Sequence, residues 1–150
     1  MESQKQRKKL KIDENHLVFI DSDTSKESII ECGEAYIVKN FFTNHYPDNG
    51  ELEKALNYIE YELTDHKELK SNNELLSTDN YLLAEVLDVQ ETKVVERDDV
   101  ELAFDKYIDC SNGEPEHMLG IKYSLEKLTT IILVRSVMYY LGFTEIEIVK

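Results

Sequence analysis

The chain has no tryptophan, two prolines, five glycines and two cysteines in 150 residues. Each scarcity excludes something. Cys32 and Cys110 lie far apart and outside any CxxC or Cys/His spacing. Neither a disulfide framework nor a structural zinc site is encoded, and two reduced thiols in a cytoplasmic protein are expected. There is no glycine-rich phosphate loop, no GxSxG and no HExxH, so the usual nucleotide, acyl-transfer and zinc-protease signatures are missing. The longest apolar stretch, 131–134 resumed over 136–143 after Arg135, falls short of the about 20 residues a bilayer span needs. The charged start is followed by only four apolar residues, 17–20, which is no signal peptide. No membrane association is expected.

What is abundant is negative charge, and it is unevenly laid out. Lys5, Arg7, Lys8, Lys9 and Lys11 stand in the first eleven residues beside one acid, Glu2, while residues 12–150 carry 12 basic and 30 acidic side chains, a net −18. That pattern reads as a disordered basic arm, 1–11, ahead of a single acidic globular domain, 12–150. Direct nucleic-acid binding by such a body is unfavourable, whereas a basic protein partner is electrostatically welcome.

Apolar spacing divides the body. The run 16–20 (HLVFI) reads as a short strand. Thr24 and Glu27 have capping-box spacing ahead of a helix over about 25–42, with a strand at 35–42 as the alternative. Asp48 and Glu51 repeat that spacing before Leu52, Ala55, Leu56, Ile59 and Leu63, the clearest amphipathic helix, 50–64. Residues 67–80 read as a polar loop, 81–89 as a helix, and 93–95 as a strand. Asp98 and Glu101 open a helix to about 109. A final long helix is expected over about 117–141, closed by Gly142, with a strand at 144–149. The predicted fold class is therefore α+β, mainly α: a single domain built round the long C-terminal helix, with two or three short strands (16–20, 93–95, 144–149).

One short motif carries chemistry. Residues 17–25, LVFIDSDTS, put Asp-x-Asp at the end of an apolar strand. This resembles the first motif of the haloacid-dehalogenase-like phosphohydrolases. The resemblance implies Asp21 as nucleophile, Asp23 as acid/base, Mg²⁺ between them, and Asp98 and Asp99 as the later metal pair. Thr24 stands where that family has glycine and Ser25 where it has threonine. Without the resemblance, the same acids read as turn and helix-start residues, with no catalytic residue, metal or cofactor. A calcium loop beginning at Asp21 is excluded by Lys26 at its sixth position and Cys32 at its twelfth. His16, His45, His66 and His117 fall in separate segments and read as single surface histidines.

Nine tyrosines include Tyr58 and Tyr61, which lie off the leucine stripe of helix 50–64 among Glu51, Glu53, Glu60 and Glu62. Tyrosine beside carboxylates suits an Arg- or Lys-bearing surface. The leading expectation is a non-enzymatic cytoplasmic binding or regulatory protein that docks a basic partner through this face. A Mg²⁺-dependent phosphohydrolase using Asp21 and Asp23 is the alternative, and a scaffold subunit or homo-oligomer closed through the long helix comes third.

Overall fold

The computed structural model describes residues 6–150. Its centre is a six-stranded mixed sheet made of β1 (Arg7–Ile12), β2 (Leu17–Asp21), β3 (Glu27–Ile30), β4 (Leu75–Thr78), β5 (Lys93–Glu96) and β6 (Glu145–Ile148), in the order β3-β2-β1-β4-β6-β5. β1, β4 and β6 are mutually parallel, and β2 and β5 run against their neighbours. The six helices are α1 (Glu34–Phe41), α2 (Asn49–Thr64), α3 (Tyr81–Val86), α4 (Arg97–Ser111), α5 (Glu116–Leu119) and α6 (Leu125–Leu141).

This sheet corrects the expected architecture of a long terminal helix with two or three strands. The three expected strands exist as β2, β5 and β6, and three more stand beside them. Arg7–Ile12, placed by the sequence in a disordered arm, is β1 at the heart of the sheet; the part of that arm over 1–5 lies outside the described residues. Its alternation sends Lys8 and Leu10 inward and leaves Arg7, Lys9 and Lys11 toward water, so a lysine-rich stretch still has strand period. The expected helix 25–42 splits into β3 and α1. Thr24 and Glu27 do not form a capping box: Ser25 turns the chain at φ 59 and Glu27 pairs with Ile20 in the sheet. The polar loop 67–80 hides β4, whose four residues are all buried. The expected helix 117–141 is also two pieces. Gly120, left-handed at φ 68, ends α5, and Ser124 caps α6 by accepting from the Lys127 N–H. At 17 residues α6 is about 26 Å long.

Burial explains the arrangement. α6 packs against α1, α2, α3 and α4, and its wide apolar surface is used on all sides, with Ile131, Ile132, Leu133, Val134 and Val137 fully buried. Leu10, Leu17, Phe19, Leu76, Ile146 and Ile148 give the sheet's side of the same core. Between α4 and α6, Arg135 donates to Glu101 at 3.0 Å and lies over the Phe104 ring at 4.8 Å.

The helix expected over 50–64 is α2. Asp48 Oδ1 accepts from the Glu51 N–H at 2.8 Å, and Glu51 reaches back to the Asp48 N–H at 3.3 Å. Glu51 also accepts from the Thr43 N–H and hydroxyl, which hold its carboxyl below the usual range. Asp48→Ala should cost about 1 kcal/mol in urea unfolding. An unchanged midpoint would mean that the cap contributes nothing.

Candidate functional site

In sheets of this kind ligands gather outside the carboxyl ends of the parallel strands. Here those ends are Ile12 of β1, Thr78 of β4 and Ile148 of β6. Between the first two lies a crevice of about 240 Å³, lined among others by Asp13, Glu14, Glu34, Asn80, Tyr81 and Thr130.

Each side chain is placed by a local rule. Asp13 opens the β1–β2 turn, and its Oδ1 accepts from the N–H of Asn15 at 2.9 Å and of His16 at 2.7 Å, the turn chemistry aspartate favours. The start of α1 is fastened to that turn: the Glu34 N–H donates to the Asp13 carbonyl and the Tyr36 N–H to the Glu14 carbonyl. This closeness depends on Gly33, where a Cβ would fall under 3.0 Å from the backbone nitrogens of Asn15 and His16. Asn80 follows β4 and caps α3, its Oδ1 accepting from the Leu83 N–H at 2.9 Å. Thr130 comes from the second turn of α6. It is fully buried, and its Oγ1 has no hydrogen-bond partner among the described residues. Ser136 Oγ on the same helix is unmatched as well; what sets Thr130 apart is its place beside the crevice acids, where a ligand oxygen or water would satisfy it.

The electrostatics are lopsided. Burial, followed by the charges of Glu126 and Glu14, raises the Glu34 pKa above its ordinary value. Glu34 is thus a half-buried carboxyl among like charges, the situation in which a proton or a cation is held most readily. Among the described residues no three His, Cys, Asp or Glu side chains converge to hold a metal ion by themselves.

The residues singled out from the sequence lie elsewhere. Asp21 ends β2 opposite Lys8, at the amino end of β1 and so on the sheet edge away from the crevice. Its Oδ1 accepts from the Asp23 N–H at 2.9 Å, which makes it the head of a turn. Asp98 and Asp99 start α4 beyond β5. β2 and β5 are four strand spacings apart, about 19 Å, so the two acidic pairs are not brought together. On α2, Glu51 is committed to its cap, and the Tyr58 hydroxyl donates to the Glu31 carbonyl at 2.9 Å while its ring packs on Tyr36 and Phe41. Glu60 and Glu62 are half-buried, and of the six residues expected to dock a partner only Glu53 and Tyr61 are exposed. Cys32 and Cys110 are buried free thiols, and burial with the nearby Glu62 charge pushes Cys32 up to about 12. No helix among the described residues is long and apolar enough to cross a membrane.

Sequence reasoning missed Asp13, Glu14, Glu34, Asn80 and Thr130 as a group. One signal was available: the apolar positions of 10–12 and 17–20 flank a polar four-residue turn, which is a hairpin pattern.

No known protein-family profile matches the chain, and no curated protein matches it. Solved structures do. The Aquifex aeolicus Ppx/GppA phosphatase, type II variant, superposes with a TM-score of 0.76 at 12% identity, over 99% of this chain and 54% of that one. An exopolyphosphatase from Cytophaga hutchinsonii gives 0.71 at 12% identity, over 99% and 54%. An exopolyphosphatase-like protein gives 0.64 at 10% identity, over 91% and 50%. The chain thus spans about half the length of these structures, and at such identity the likeness is one of fold. It counts against the expectation of a non-enzymatic interaction protein: the fold is shared with phosphatases, and most of the supposed docking face is spent on internal contacts.

Proposed function

We propose that this chain is the magnesium-phosphate-binding lobe of a phosphohydrolase acting on phosphoanhydride chains. The observation that carries the reading is the crevice at the carboxyl ends of β1 and β4, with its acidic lining and the unmatched Thr130 hydroxyl. The phosphatase folds it resembles support the same class of chemistry.

The donor set fits Mg²⁺ that arrives with a phosphate chain rather than a resident ion. Magnesium takes one or two carboxylates, keeps several waters and draws its remaining ligands from phosphate oxygens, so Glu14 and Glu34 would suffice. When bound, it offsets phosphate charge that the crevice acids would otherwise repel. The chain's own residues supply the rest. Thr130 Oγ1 offers a hydroxyl donor from a rigid helix, and Asn80 holds the mouth through the start of α3.

Titration calorimetry with tripolyphosphate should show binding only when Mg²⁺ is present, and phosphate release should exceed the buffer blank. Glu34→Gln should weaken both by at least about tenfold. Its stability should move the other way. Because the folded pKa lies above the unfolded one, the native state binds the proton more tightly, and stability falls as pH rises through that window. Removing the charge should therefore raise Tm at pH 7 and leave it unchanged in acid. Absence of binding by the folded protein would end the proposal, and binding without release would remove its hydrolytic half.

A further inference from the structure

On the other side of α3 a second hollow opens, and its chemistry is the reverse of the crevice. Two adjoining cavities of about 360 and 580 Å³ share Val86, Asp88, Tyr107, Gly120 and Ile121, and so form one trough between α3, α4 and the α5–α6 connection. Its size is that of a small-molecule site. Part of the wall is apolar, formed by Val86, Leu102, Ala103 and Ile121, and the Tyr107 ring is buried. The rim is basic: Lys93 and Lys106 line one cavity, and Lys122, Lys127 and Lys150 the other.

Those five lysines face three acids, Glu85, Asp88 and Asp99, in a protein whose net charge is −14. Two of the acids are engaged. Glu85 lies 3.9 Å from Lys127, and Asp88 accepts from Gln90 Nε2 at 3.1 Å. Lys93, Lys106 and Lys122 make no ion pair among the described residues. A concave, partly apolar surface walls in whatever sits there and lowers the local dielectric, so unpaired ammonium groups at its mouth attract an anion more strongly than lysines on a convex surface.

We infer that the trough binds a small aromatic anion, its flat ring against Val86 and Ile121 and its negative groups on Lys106 and Lys122. The two parts of the ligand act together. The ring alone leaves the ammonium groups unmatched, and an inorganic anion leaves the apolar wall wet. The inference does not rest on the crevice and needs no metal.

The test is calorimetry in EDTA with three probes: 1,3,6-naphthalenetrisulfonate for ring plus charge, tripolyphosphate for charge alone, and 2-naphthol for the ring alone. The trisulfonate should bind at least tenfold more tightly than either fragment and more weakly as salt rises, and it should shift the amide resonances of Gly120 and Ile121. The double variant Lys106→Gln, Lys122→Gln should lose tenfold or more in affinity while its thermal unfolding is unchanged. No binding of the trisulfonate, equal binding of tripolyphosphate, or an unaffected double variant would each overturn the assignment. Because Mg²⁺ is chelated throughout, failure here leaves the phosphohydrolase reading untouched, and failure of that reading leaves this one standing.

Discussion

Gly33→Ala should lower the urea-unfolding midpoint sharply, with a loss of about 3 kcal/mol in stability. Gly33 has an ordinary φ of −90°, so the demand for glycine there is not conformational. It is one of space. The missing side chain is what lets the start of α1 lie against the β1–β2 turn, and an added Cβ would meet the backbone nitrogens of Asn15 and His16 and the Asn15 carbonyl carbon under 3.0 Å. Flexible side chains yield to such an intrusion, but backbone fixed by pairing does not. Asn15 and His16 are held by Asp13, and the turn is held by β1 and β2. Relief would have to come from moving α1, breaking the Glu34-to-Asp13 and Tyr36-to-Glu14 hydrogen bonds. Overpacking of this kind costs about 3 kcal/mol or more, a large share of the roughly 5–15 kcal/mol that holds a domain together. Gly50→Ala is the control. Its new methyl would meet only Asp48 Oδ1, at 3.3 Å, and the gain in helix propensity offsets the crowding to within about 1 kcal/mol. Urea midpoints that coincide for the two variants would refute the close-approach argument.

The same turn shows why the sequence revealed the helices better than the sheet. α2 and α4 are legible because a capping pair or an acidic first turn precedes a run of period 3.6, and those signals are local. β1 and β4 have partners distant in the chain, Arg7 with Leu75 and Leu76 with Ile146, while β3 is only four residues long and pairs with β2 alone. A strand whose exposed face is lysine, as in β1, or whose flanks are Ser and Asn, as in β4, looks like solvated coil until its neighbours are known. The over-long C-terminal helix failed for a different reason. Apolar residues continue through Met118 and Ile121 at nearly helical spacing, but Gly120 turns left-handed and the chain restarts at Ser124. Met118 is 72% exposed. The candidate site was hidden by topology as well. Asp13, Glu34, Asn80 and Thr130 lie far apart in sequence and meet only because β1 and β4 are parallel neighbours with α6 behind them. The Asp21-Ser22-Asp23 motif was visible because it is contiguous, yet antiparallel pairing puts it at the other end of the sheet.

The basic stretch of β1 carries the second large expected effect. Lys8 is in β1, and its ammonium group is 3.5 Å from Glu74 Oε1, with the two side chains 10% and 9% exposed. Removing one member strands the other charge in the interior, so Glu74→Gln should cost about 3–5 kcal/mol. Lys8→Met should cost a similar amount through the abandoned carboxylate. The double variant Lys8→Met, Glu74→Leu removes both charges and should recover most of the loss, because a buried pair repays its desolvation only in part. The coupling in this double-mutant cycle should therefore be large and of rescuing sign. It should also persist in concentrated salt, since ions do not reach a buried pair. The Arg7–Glu147 pair on the outer face of the same sheet is the comparison. At 3.0 Å it is the shorter contact, but Arg7 is 42% exposed, and exposed pairs contribute about 1 kcal/mol or less. Single variants at Lys8 and Glu74 that cost no more than Arg7→Met would show that water reaches the pair, and would remove the reason for a lysine to occupy the inner side of a central strand.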